Sequence, residues 1–394
     1  MADADLYASN LASRAQEMLA RLVAFDTTSR NSNLALIEFV EGWLSALGVD
    51  SHRVANQDGS KTNLYATVGP MVVGGVVLSG HTDVVPVDGQ PWSSAPFALT
   101  ERNDRLYGRG TCDMKGFLAL ALAAAPDFAA AGLKRPIHFA LSYDEEIGCL
   151  GAPSMIRELT RELPRPMAVV VGEPTDMQVV NGHKGISSWR VVVTGHEAHS
   201  SLTHLGISAV SVAVELMHKL TVLAHQLEQQ AVPGSGFVPP HATLTIGQVN
   251  GGTAVNILAR ECSFVFDLRT LPGDSPDEII APFLAAVHQA DRQMRTRFAD
   301  VGASVTRRSQ TPALAAWPNS PAATLARRLA GDNGPDRVVP YAAEGGQFQE
   351  AGFDTVICGP GSIEQAHQPD EYVEKSQILR GAAFMRRLIE ASQD

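Results

Sequence analysis

Cysteine is scarce and unpatterned: Cys112, Cys149, Cys262 and Cys358 are widely separated and form no C-x-x-C pair. That spacing points to reduced, buried thiols in a cytoplasmic protein. Basic charge is also short, with 31 Lys and Arg against 42 Asp and Glu and a net charge of −11. Nucleic acid, which needs a basic face, is therefore disfavoured as a partner. The longest apolar stretch, Phe117 to Leu133, is broken by Pro126 and Asp127, so a buried helix is expected there and no membrane span. The start, Met1-Ala2-Asp3-Ala4-Asp5, is acidic where a secretory leader needs a basic end. Internal repeats and low-complexity segments are missing too. Ser187, Ser188 and Ser200 sit in no G-x-S-x-G elbow. Gly108-Arg109-Gly110 runs on to Asp113 without a third glycine, and no Walker A segment occurs.

What is present reads as an α/β protein. At 394 residues the chain exceeds what one hydrophobic core usually serves, and its 45% hydrophobic and 19% charged content is ordinary for a globular protein. Apolar residues at three- and four-residue spacing predict helices over 11–25, 34–47 and 114–131. Short apolar runs at 75–79, 137–141 and 167–171, each bounded by Gly or Pro, predict strands buried on both faces of a mostly parallel sheet. Past Asn181 the order changes. Strands at 186–194, 242–249, 261–270 and 303–308, with helices at 207–229 and 276–295, give β-α-β-β-α-β, a ferredoxin-like unit inserted into the first domain. The α/β pattern resumes at Pro312 and ends in a helix over 375–389. The expected division is 1–181 and 312–394 for an α/β catalytic domain, with 182–311 for the insert.

The chemistry-bearing residues fall where the predicted strands end, the edge at which open α/β sheets build their sites. The first strand leads into His81-Thr82-Asp83, the second into Asp144-Glu145-Glu146, the third into Glu173; Asp113 precedes a helix, and His367 lies near the C-terminus. Singly, each has an ordinary explanation: Glu173 a surface carboxylate, Asp113 a helix N-cap, His81 a core histidine. Jointly, two histidines and several carboxylates at consecutive strand ends form a ligand set for two divalent metals. In His81-x-Asp83 the carboxylate can accept the spare imidazole N–H and fix the metal-binding tautomer. In Glu145-Glu146 one carboxylate can ligate while the other takes a proton from a water that metal has acidified.

With these motifs, and with Gly108–Gly116, Gly172-Glu173-Pro174-Thr175, Gly195–Ser200 and Asp267–Gly273, the chain resembles the di-zinc amidohydrolases and exopeptidases. That family includes acetylornithine deacetylases, succinyl-diaminopimelate desuccinylases, aminoacylases and glutamate carboxypeptidases. The resemblance covers nearly the whole chain, the insert included. It implies His81, Asp113 and Glu173 on one metal and Asp113, Glu146 and His367 on the other, with Asp113 bridging. It implies two zinc ions, with cobalt as an alternative, Glu145 as general base and Asp83 as orienter of His81. His199 of the insert would reach across a homodimer to the oxyanion, the insert serving as lid and dimerisation domain. Arg269 and Asn256 would hold the carboxylate of an N-acyl amino acid.

The segments Glu344–Gln349 and Cys358–Tyr372 resemble the acetylornithine deacetylases in particular, which implies release of acetate and ornithine from N-acetylornithine, a step of arginine biosynthesis. Glu344 and Gly345 are candidate substrate contacts on that reading, Glu344 favouring a side-chain ammonium over a second carboxylate; its plain alternative is a solvated helix-start glutamate. Desuccinylase, aminoacylase and dipeptidase activities are the alternatives within the same chemistry. A non-catalytic metal- or amino-acid-binding protein is the alternative from another class, and retention of Glu145 and His199 counts against it.

Overall fold

A computed structural model describes residues 2–394. Six strands form its larger sheet, in the order Ser51–Ala55, Thr62–Val68, Ile137–Ser142, Val76–His81, Ala168–Pro174, Thr355–Gly359. The last four run parallel and the first two pair antiparallel. The central strands are buried along their whole length, which explains their unbroken apolar sequence.

The helix Lys115–Ala130 packs against this sheet with nearly every residue buried. Glycine makes the approach possible. A Cβ on Gly172 would lie 2.0 Å from the Phe117 ring, and one on Gly80 2.7 Å from Met114. The helix continues through Pro126, as the apolar spacing over 114–131 predicts. Proline leaves the carbonyl four residues earlier without its usual donor. That carbonyl, on Leu122, accepts a hydrogen bond from Trp43 Nε1 at 2.9 Å, so the helix loses no buried pairing there. Helices Ala2–Val23 and Lys375–Gln393 complete the layer against Lys115–Ala130.

The chain divides into two units. One comprises the residues up to Gly182, Leu314–Val338 and Ala343–Asp394; the other comprises His183–Ala313 and Val339–Ala342. The second therefore takes a short segment beyond 312 that the sequence pattern placed in the first domain. Its sheet is antiparallel, in the order Thr243–Gly251, Glu261–Thr270, Gly185–Thr194, Gly302–Thr311. Burial alternates along Gly185–Thr194, and the inward face meets helices Ala209–Glu228 and Pro276–Arg295 in a separate core. Within that core Trp189 stacks on Phe266 at 5.3 Å and Phe283 meets Phe266 edge-on. Both helices begin at a serine whose side chain accepts a backbone N–H, Ser208 from Ser211 and Ser275 from Glu278. Among the described residues, no helix is long and apolar enough to cross a membrane.

Candidate active site

Three adjacent parallel strands end side by side in the first unit, and each delivers one part of the cluster. Val76–His81 ends on His81, Ile137–Ser142 runs into the turn bearing Glu145 and Glu146, and Ala168–Pro174 carries Glu173. Asp113 arrives from the loop before Lys115–Ala130, and His367 from the loop after the short turn Ile363–Gln365. Asp113 does not cap its helix; Met114 holds that position without a side-chain cap. His367 and Asp144 both adopt left-handed backbone, at φ 63° and 56°. Positive φ is uncommon away from glycine, and Asp and His are among the residues that adopt it most readily.

Asp113 is the centre of the geometry. Its Oδ1 lies 3.0 Å from His81 Nε2 and its Oδ2 3.3 Å from His367 Nε2. His367 Nε2 is also 3.0 Å from Glu146 Oε2, and His81 Nε2 is 3.9 Å from Glu173 Oε1. Ligand atoms of His81, Asp113 and Glu146 lie within 4.8 Å of one another, as do those of His81, Glu145 and Glu173. Glu145, read from the sequence as a base, thus also stands within ligand range.

Electrostatics single out the same residues. Burial pushes the Glu145 carboxyl up to about 8 and Glu146 up to about 7, aided by repulsion from neighbouring carboxylates, and drives Glu173 well above its ordinary value. Burial acts upward on Asp113 as well, but hydrogen bonds from His367 and His81 leave it well below the usual carboxylate range. Hydrogen bonds to Asp113 and Glu146 push His367 up to about 11. Four acidic groups packed around two imidazoles repel one another unless cations enter. The donor set, oxygen and nitrogen on both sides of one shared carboxylate, fits two divalent metals.

One expected contact is different. His81 Nδ1 donates to the Asp83 backbone carbonyl at 2.9 Å, and the Asp83 carboxylate is 3.6 Å away. The tautomer outcome is the same, because a proton on Nδ1 leaves the Nε2 lone pair facing Asp113. The Asp83 carboxylate is turned elsewhere: it accepts the Glu145 N–H at 3.1 Å, the Glu146 N–H at 3.3 Å and Ser29 Oγ at 2.7 Å. It therefore shapes the turn that presents both glutamates.

Glu344 is 1% exposed, so it is no solvated helix-start residue. Its Oε2 accepts Ser79 Oγ at 3.4 Å, the Ser142 hydroxyl also bears on the carboxyl, and burial pushes it up to about 7. Gly345 opens the helix Gly345–Glu350 and is buried. His199, Asn256 and Arg269 belong to the second unit. There Arg269 Nε pairs with Asp267 at 3.0 Å, and the Asn256 carbonyl accepts the Ser200 N–H at 2.9 Å. His199 Nδ1 accepts the Ser201 N–H at 3.2 Å. Sequence reasoning missed Cys149, whose thiol donates to Glu145 Oε1 at 3.1 Å, and Glu371, whose carboxylate binds the backbone around Asp113. Neither carries a motif of its own.

Residues 77–391 match the model of peptidase family M20/M25/M40. The chain belongs to this family. Its relatives include a protein named acetylornithine deacetylase from Proteus mirabilis, 34% identical over 93% of this chain and 92% of that protein. Another of the same name, from Myxococcus xanthus, is 34% identical over 94% and 95%. Among solved structures, a family M20 metallo-carboxypeptidase from Sulfolobus solfataricus superposes with a TM-score of 0.77 at 18% identity, covering 95% of this chain and 98% of that one. A dinuclear metal-binding M20 peptidase from Bacillus subtilis gives 0.62 at 14% identity, covering 98% and 99%. At those identities the structures establish the M20 fold, a mixed α/β architecture with a mostly parallel central sheet.

Proposed function

We propose that the chain hydrolyses the amide of N-acetylornithine, releasing acetate and ornithine in arginine biosynthesis. The observation that carries this reading is the buried Asp113 carboxylate with one imidazole Nε2 on each oxygen and Glu145 beside it. Relatives named acetylornithine deacetylase, matched over nearly their full length, supply the substrate.

Zinc, or cobalt in its place, would be held by His81, Asp113 and Glu173 on one side and by Asp113, Glu146 and His367 on the other. Metals held there would polarise the amide carbonyl and lower the pKa of the attacking water. Glu145 takes the proton from that water and returns it to the leaving α-amine. Asp83 keeps Glu145 and Glu146 in place through their backbone N–H groups. With Nδ1 acting as an acceptor, His199 has its proton on Nε2, ready to donate to the developing oxyanion. Arg269, with its planar fork, and Asn256 bind the substrate carboxylate.

In this reading the inserted unit is a ferredoxin-like lid and dimerisation domain, and His199 comes from the second copy of a homodimer. Four cysteines, none in a disulfide among the described residues, support a cytoplasmic setting. Glu344 selects the ammonium of the ornithine side chain. The test is amine release after metal loading, compared across acetylornithine, succinyl-diaminopimelate, acetylmethionine and a dipeptide. A dominant kcat/KM on acetylornithine is expected. Preference for another substrate would keep the mechanism and discard the substrate.

A further inference from the structure

Glu371 is 1% exposed, and its carboxylate is filled by four donors. Oε1 accepts the N–H groups of Cys112 at 2.8 Å and Asp113 at 3.0 Å. Oε2 accepts the Gly110 N–H at 3.0 Å and Arg109 Nη1 at 2.7 Å. The loop can wrap the carboxylate because Gly110 takes a φ of +83°, where an added Cβ would also strike Val84 at 2.8 Å. Successive backbone N–H groups turned onto one anion form a concave binding site, and here the anion comes from the chain itself.

The tie extends to a second ligand. Arg109, 1% exposed, donates through Nη2 to Gln90 Oε1 at 2.5 Å, and Gln90 Nε2 donates to the His367 carbonyl at 2.9 Å. Arg109 Nη1 also reaches the Gln368 carbonyl at 3.3 Å. Glu371 itself lies four residues past His367. Asp113 and His367 come from segments about 250 residues apart in sequence, and this network, buried at Glu371 and Arg109 and more exposed at Gln90, links their main chains.

We propose that Glu371, with Arg109 and Gln90, is a positioning element that sets metal affinity by fixing Asp113 and His367 relative to each other. It rests on the two-metal reading above. Glu371 touches neither metal nor substrate on this account. Replacing one oxygen with an amide would turn an N–H donor toward two of the four donors and leave Arg109 without its counter-charge.

The experiment strips the full-length protein of metal and titrates zinc back against a chromophoric competitor, without substrate. Wild type is expected to take up two equivalents, and Glu371→Gln to bind them about 10- to 100-fold more weakly. At saturating zinc, kcat of the variant is expected to return near the wild-type value with KM unchanged, a rescue that general destabilisation would not give. Wild-type affinity in the variant, or a kcat that stays depressed at saturating zinc, would overturn the proposal. Should Glu371→Gln fail to fold, Gln90→Ala takes its place. It cuts only the His367 branch and should weaken one equivalent while sparing the other; no change in either would overturn the proposal. If wild type binds no zinc, the two-metal reading itself fails, an outcome distinct from normal uptake by wild type and variant alike.

Discussion

Glu145 and Glu146 are adjacent in sequence, share the same carboxyl chemistry and are both turned into place by Asp83 through their N–H groups. Their partners separate them. Glu146 faces His367 Nε2 at 3.0 Å, whereas Glu145 takes the Cys149 thiol at 3.1 Å. A carboxylate with so weak a partner remains free to accept a proton. Glu145→Gln should therefore lower kcat by roughly 10²- to 10⁴-fold, the range for a lost general base, while metal content, read by elemental analysis, stays at two equivalents. Loss of metal together with activity would make Glu145 a ligand. Glu344→Gln should raise KM for acetylornithine more than for acetylmethionine; equal effects on the two would remove the substrate role assigned to Glu344. At this scale the convergence of His81, Asp113, Glu145, Glu146 and Glu173 was legible from the sequence, because strand ends announce where side chains meet. The Asp83 contact was misread, because side-chain spacing along an extended chain says nothing of which backbone N–H groups stand nearby. Glu371 was invisible for the same reason: its partners are main-chain amides of a distant loop.

Among elements, the helix Lys115–Ala130 sets how Asp113 meets the strand ends, and its seating depends on absent side chains. Gly172→Ala would press a methyl group into the Phe117 ring, 2.0 Å from the nearest carbon. Overpacking of this kind costs about 1–3 kcal/mol, and the expected result is a lower Tm that the double variant Gly172→Ala, Phe117→Leu partly restores. An unchanged Tm would mean that the helix slides without penalty. Trp43→Phe tests the other contact, since it leaves the Leu122 carbonyl unpaired beside Pro126. A loss of about 1–3 kcal/mol in urea denaturation is expected. The sequence marks Glu261–Thr270 and Pro276–Arg295 at the observed ends, since Ser275 and Pro276 form an unambiguous helix start. It gives no comparable sign for Ser51–Ala55, whose residues are mostly polar and none of them buried, because the strand lies at the sheet edge. The helix through Pro126 was legible, but the indole from a different helix that pairs the Leu122 carbonyl was not.

Across the whole molecule, each unit buries one histidine away from the acidic cluster. Burial pulls His138 down to about 4 in the first unit and His183 down to about 4 in the second. His138 holds Thr67 Oγ1 at 2.8 Å through Nδ1, and its buried Nε2 has no hydrogen-bond partner. An unfolded histidine begins to take up a proton near pH 6.5, well before either of these can. In that interval the unfolded chain binds more protons than the folded one, so stability is full above about pH 6.5 and falls as pH drops toward 4. The two sites together should cost several kcal/mol by pH 4, at about 1.4 kcal/mol per pKa unit. His138→Gln removes one titrating group while leaving a polar side chain for Thr67. Its Tm should sit below that of wild type at pH 7.5 and close the gap between pH 6.5 and 4.5, because the variant no longer resists a proton there. The metal-free protein is the form to measure, so that ligand protonation and metal loss do not enter the curve. Parallel Tm profiles for variant and wild type across that range would show that His138 contributes nothing to the acid limb and would leave it to the carboxylates.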